Sequence, residues 1–227
     1  KGFQVYHLDS LGSEEWLQKM PDASRWADLR QQCSIKGITP LLDNPFDGFF
    51  LADQFLSGGE LPTTRLECLA LRVGKALSHG AAGDGRAPQV STSRLKRLSE
   101  ELACISLLTP DETWSAEEAC DLLQAGDVSG APGRPTPDEM RALLAEPLFT
   151  ASAGTLCFTH QLYREYLAAK ALAGLSLRKQ CQLLVAPQDS RGRISYNLRN
   201  VAALLADLSA QFRQYLLEND PMVLALA

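Results

Sequence analysis

The sequence holds no G-x-x-x-x-G-K-[ST] loop, no H-E-x-x-H and no G-x-S-x-G, so the local signatures of phosphate-cradling, zinc-hydrolytic and serine-nucleophile sites are missing. The glycine-rich stretch at residues 80–85 has neither a lysine nor a strand-to-helix setting and does not substitute for a phosphate loop. Histidine is scarce, with three in the chain, and none of the six cysteines forms a C-x-x-C pair. No compact zinc site is encoded, and no catalytic or metal-binding residue is assigned. Cys33, Cys68, Cys104, Cys120, Cys157 and Cys181 sit among aliphatic residues at helical spacing and read as buried free thiols. No apolar run reaches the roughly 18 to 20 residues that cross a bilayer, and Lys1-Gly2-Phe3 carries no secretory pattern, so the expected location is cytoplasmic, without a membrane partner. Positive charge is in deficit, 22 Lys and Arg against 27 Asp and Glu. The net charge of -5 repels a phosphate backbone unless a local basic patch overrides it, which makes nucleic acid an unfavoured partner.

What is present is a 45% apolar composition over 227 residues, enough for one large domain or several small ones. Phe3-Gln4-Val5-Tyr6-His7-Leu8 alternates as a strand, followed by a short helix capped by Ser13. A lone strand needs partners, so this one is expected to close a sheet that lies upstream. Residues 23–78 are helical in pattern, with Trp26, Leu29 and Cys33 on one stripe, then Phe49, Phe50, Leu51 and Phe55, then Leu66, Leu69, Val73 and Leu77. Residues 79–93 lack periodicity and read as a linker or exposed loop. Beyond them come an amphipathic helix with Leu95, Leu98, Leu102 and Ile105, a helix capped by Ser115, and a third opened by the capping box Thr136-Pro137-Asp138-Glu139. Two short strands, around 148–150 and 155–158, flank a turn at 151–154. Three helices and a hairpin make the layout of a winged helix. Helical spacing returns at 160–172 and again at 195–217, with a polar connection at 186–195 and a further helix opened by Asp220-Pro221. The apolar end and the missing initiator Met suggest that chain continues on both sides.

The expected fold is therefore mainly α: a helical bundle and a winged-helix domain with a small β-hairpin, followed by the start of a helical repeat array. Its parts are residues 1–12, the last strand of a missing core; 13–93, a helical domain with its linker; 94–172, the winged-helix domain; and 173–227, the first of the repeats.

The most informative segment is Phe158-Thr159-His160-Gln161-Leu162-Tyr163-Arg164-Glu165-Tyr166-Leu167-Ala168-Ala169. On chemistry alone it is an aromatic stripe that packs a helix, with His160 solvated in the first turn. It also resembles, at every position, the F-x-H-x-x-[FY]-x-E-[FY]-x-A-A stretch that closes the winged-helix domain of NACHT proteins, a clade of the STAND NTPases. A second stretch, Pro40-Leu41-Leu42-Asp43-Asn44-Pro45, is similar to the P-L-x-x-N-P passage that leads from the nucleotide-binding core of those proteins into their helical domain. Locally, Pro45 is a helix-start proline capped by Asn44.

The resemblance implies that the parent protein is an ATP-driven switch that closes over ADP or ATP with magnesium, senses a ligand through C-terminal repeats and forms homo-oligomers on activation, in prokaryotes often in antiviral defence. It makes Pro45 an adenine contact and His160 a phosphate contact. The Walker motifs would precede Lys1, so the chain alone is not expected to be catalytic or to hold nucleotide tightly, and its partners are the upstream NTPase core and the downstream sensor repeats. Two other readings compete: a helical protein-interaction scaffold with no nucleotide role, and a winged-helix DNA reader. The latter would draw on Arg94, Lys96 and Arg97 and on Arg178, Lys179, Arg191, Arg193 and Arg199, two clusters that solvated helix faces also explain.

Overall fold

A computed structural model describes residues 23–79, 90–109, 113–125, 135–152 and 155–226. The strand at 3–8, the helix after Ser13 and the tip of the turn at 153–154 lie outside the described residues. The chain divides into two compact units, residues 1–72 and 73–227.

In the first unit, α1 (Ala23–Ile35) buries the stripe of Trp26, Leu29 and Cys33. Gly37 ends this helix at φ +73, donating to Ser34 O while Ile38 donates to Cys33 O, a left-handed cap that costs glycine nothing. A 3-10 turn (Thr39–Asp43) leads into α2 (Pro45–Leu56), whose Leu51 and Ala52 face the same core. Phe49, expected on the apolar stripe, is 53% exposed instead, since it lies two residues and about half a turn from Leu51. Next comes α3 (Arg65–His79), which runs across the division, burying Cys68 and Leu69 in the first unit and Val73 and Leu77 in the second. The 79–93 linker is shorter than expected, because α3 runs to His79 and α4 begins at Thr92.

In the second unit, α4 (Thr92–Leu108), N-capped by Ser91, packs along most of α7 (Gln161–Ala173). Leu95, Leu98 and Leu102 from α4 and Leu167, Ala168 and Ala171 from α7 are all buried. Next to α4 come α5 (Ala116–Ala125) and α6 (Pro137–Leu144). The full capping box opens α6: Thr136 Oγ1 accepts from the Glu139 N–H at 3.2 Å, and Glu139 Oε2 accepts from the Thr136 N–H at 2.8 Å. Glu139 is also gripped by Arg94 of α4, Nε to Oε1, at 2.8 Å.

Strands β1 (Phe149–Ser152) and β2 (Thr155–Phe158) form an antiparallel hairpin in the register Phe149 to Phe158 and Ser152 to Thr155. Trp114 adds a single bridge on the free edge of β2, exchanging both backbone bonds with Leu156 at 2.9 and 2.6 Å. Its ring meets Phe158 edge-on at 6.4 Å, and Phe149 lies 4.7 Å from Phe158 on the other side.

After α7, buried Gln180 donates to Leu172 O and Leu175 O and fixes the corner into α8 (Leu177–Leu184), a helix the sequence pattern did not single out. The expected continuous stripe over 195–217 is broken into a 3-10 turn (Tyr196–Leu198), α9 (Arg199–Leu208) and α10 (Ala210–Asn219). Ser209 makes the break: its backbone is extended at φ -134, and its Oγ caps α10 by accepting from the Phe212 N–H. The segment opened by Pro221 is a 3-10 helix (Pro221–Leu226). Cys33, Cys68 and Cys104 are buried as expected, whereas Cys120, Cys157 and Cys181 are half-buried; all six are free thiols.

Candidate functional site

His160 closes the hairpin and opens α7. It was expected inside the first turn, but it is the N-cap itself, with extended backbone at φ -146, ψ 138. Its Nδ1 accepts from the Leu162 N–H at 3.1 Å, so in the neutral ring Nδ1 is the acceptor and the hydrogen sits on Nε2. Thr159 anchors the approach, donating its N–H to Leu148 O at 2.8 Å and its hydroxyl to Pro147 O at 2.9 Å. Tyr163 meets the imidazole edge-on at 6.1 Å. A half-buried histidine is thus held at the positive end of a thirteen-residue helix. That setting favours a negatively charged neighbour.

One turn further in, Glu165 is 1% exposed. Its Oε1 accepts from Gln161 Nε2 at 2.7 Å and from Asn200 Nδ2 of α9 at 3.2 Å, while Oε2 has no hydrogen-bond partner among the described residues. Two neutral amides therefore hold a carboxylate inside the α7–α9 contact. Sequence reasoning saw this glutamate only as a motif letter, and the apolar run around it was the available signal. Beside it, Tyr166 is buried against α4, and desolvation followed by the nearby Glu100 pushes its phenol up.

Pro45 lies in the first unit, at the first helical position of α2. Asn44 caps it, its Oδ1 accepting from the Phe46 N–H at 3.0 Å. The next residue but one, Asp47, is 1% exposed, an acid that sequence reasoning missed. Arg72 of α3 comes within 3.9 Å of Asp47 Oδ1, donates to Phe46 O and lies 3.3 Å above the Phe46 ring. Desolvation raises the Asp47 carboxyl against the opposing pull of Arg65 and Arg72. The proline thus sits two residues before a buried acid paired with Arg72.

A cavity of about 1020 Å³ opens between α5 and α6 and is lined by Cys120, Pro137, Met140, Leu144 and Leu156 among others. His160 does not line it. Among the described residues, no three His, Cys, Asp or Glu side chains gather as a metal site, and no helix is long and apolar enough to cross a membrane. No family model, curated protein or solved structure matches the chain.

Proposed function

We propose that the chain is the regulatory arm of a NACHT-type STAND ATPase, comprising its helical domain, its winged helix and the start of its repeats. In this reading it closes over ADP or ATP bound to a core elsewhere in the same protein and couples ligand sensing to oligomerisation. The observation that carries the reading is the match of residues 158–169 to the closing motif of that family, falling where a hairpin meets a helix. The order of α4, α5, α6, hairpin and α7, with Trp114 bridging the hairpin edge, supports a winged helix. A histidine held at a helix N-terminus with Nδ1 engaged has Nε2–H as the natural donor to a phosphate oxygen. The proline at the start of α2 offers a flat, dry contact for adenine.

The test is the ADP dissociation rate of the longer protein. A hydrogen bond to a charged partner contributes about 1.5 to 3 kcal/mol, so losing it should speed release roughly ten- to hundred-fold. His160→Asn is the informative variant, because asparagine keeps the helix cap while removing the imidazole. Unchanged release at equal melting temperature overturns the assigned role. The isolated chain, lacking a phosphate loop, should show no sub-micromolar ADP binding by calorimetry.

A helical interaction scaffold is the second reading, and it has its own support. Both candidate residues already hold structural posts, Pro45 as a first-turn proline and His160 as a cap. A P-loop lysine encoded upstream separates the two readings, since a scaffold needs none.

A further inference from the structure

The two basic clusters in the sequence have different fates. In the first, Arg94 is bound to Glu139, and Lys96 and Arg97 face Glu100, whose carboxyl burial raises and these cations lower. The second runs from α8 through its connection to the start of α9. Over residues 178–199 there are five basic side chains, Arg178, Lys179, Arg191, Arg193 and Arg199, against one acidic side chain, Asp189. Asp189 is occupied locally, its Oδ1 accepting from the Arg191 N–H at 2.7 Å.

This connection is built rigidly. Val185 and Ile194 form an antiparallel bridge, with Ala186 donating to Arg193 O and Ser195 to Leu184 O, each at 2.9 Å. Buried Asp220 accepts from the Ile194 N–H at 3.1 Å, and Tyr215 donates its hydroxyl to Gly192 O at 2.7 Å. Gly192 adopts φ +72, and a Cβ there would come within 2.6 Å of the Tyr215 oxygen. A polar surface turn is thereby pinned from below by two side chains of the α10 end. On its outer side Arg191 and Arg193 are exposed, and neither side chain has a partner among the described residues. Just beyond, Tyr196 is 86% exposed, more than any other large apolar side chain described, with the Arg199 guanidinium 5.7 Å from its ring centroid. Arg199 is itself held by Asp220 at 3.8 Å.

We propose that the turn at residues 189–199 is a binding surface for single-stranded nucleic acid. Arg191 and Arg193 take successive phosphates, and a base stacks on the open face of Tyr196, beside Arg199 in its pair with Asp220. The chemistry selects a single strand over a duplex, because an aromatic platform needs an unstacked base, and over an acidic peptide, which offers carboxylates but no ring to stack. The net charge of -5 does not oppose this at contact range. Fields from distant acids are screened beyond about 8 to 10 Å at ordinary salt, while the turn carries its own local excess of positive charge. The proposal is independent of the ATPase reading, since it uses neither Pro45 nor His160.

Fluorescence anisotropy of the whole chain with labelled ten-nucleotide oligo(dT) tests it, alongside a duplex of equal length. The expected result is saturable binding to the single strand at 50 mM salt, with a log-log salt slope of about -1.4 for two neutralised phosphates, and weaker binding to the duplex. Tyr196→Ala should weaken binding about tenfold, and Arg191→Ala with Arg193→Ala should weaken it further and flatten the slope. All three side chains are exposed, and circular dichroism confirms that the variants remain folded. No saturable binding, equal preference for the duplex, or binding that the variants leave unchanged would overturn the proposal.

Discussion

At the scale of single residues, the ion pair beside Pro45 makes the sharpest energetic statement. Asp47 is buried, and its desolvated charge is offset by the field of Arg65 and by Arg72. Arg72→Met keeps an apolar stem on the Phe46 ring but removes one of the two cations that offset the buried charge, and with Arg65 still in place the loss should be about 1 to 3 kcal/mol. The pH dependence has a definite sign. The folded-state pKa of Asp47 is raised above its unfolded value of 3.8, so the folded form binds the proton more tightly and stability falls as pH rises between the two values. In Arg72→Met that rise is larger, so the deficit seen in urea unfolding at pH 7 should shrink as the pH is lowered towards about 4. Adding Asp47→Asn should restore most of the loss at every pH. A deficit independent of pH would mean that Arg72 acts by packing alone. Neither this pair nor Glu165 was legible as buried charge in the sequence, because burial is decided by the partner helix: α3 for Asp47 and α9 for Glu165. Asn44 and Pro45 were legible, since a cap needs only its own next turn.

Helices and strands show the same division between local and distant causes. The start of α6 could be read residue by residue, and the Ser115 cap of α5 likewise, since Ser115 Oγ accepts from the Glu118 N–H as the spacing requires. The hairpin was legible from its two short apolar runs around a turn. Trp114 was not, because one residue bridging an edge 42 positions away leaves no periodicity. The break at Ser209 escaped for the opposite reason: the stripe of Leu205, Leu208 and Phe212 is continuous in spacing, and only the backbone interrupts it. For α6, Glu139 serves two masters, the Thr136 cap and the Arg94 pair, and these bonds hold its carboxyl below the ordinary range, that to Arg94 first. Thr136→Ala removes the cap and should cost about 1 kcal/mol, whereas Glu139→Ala also removes a charged hydrogen-bond partner of Arg94 and should cost about 2 kcal/mol in thermal unfolding. The contribution of Glu139 is present at neutral pH and is lost as the pH falls through its lowered folded-state value. Equal losses from the two variants would show that the Arg94 pair adds nothing.

Across the whole chain, mainly helical architecture follows from the long periodic segments, and the small hairpin is its one sheet among the described residues. The functional candidates divide by unit, Pro45 in residues 1–72 and His160 with the basic turn in residues 73–227. Each therefore has to be probed by its own variant. The pinned turn also sets limits on descent. Gly192 cannot accept a Cβ while Tyr215 keeps its hydroxyl against the Gly192 carbonyl, and Asp220 has to keep accepting from Ile194. Gly192, Tyr215 and Asp220 should therefore be inherited as a set in diverging lineages that retain a connection of this length, and be lost together where the connection changes length. Arg191 and Arg193 carry no such structural obligation, so mutation is free to erase them unless selection acts on what they touch. An alignment of descendants in which both arginines persist as often as the glycine would be the trace of a ligand, and one in which they scatter while the glycine holds would be the trace of architecture alone.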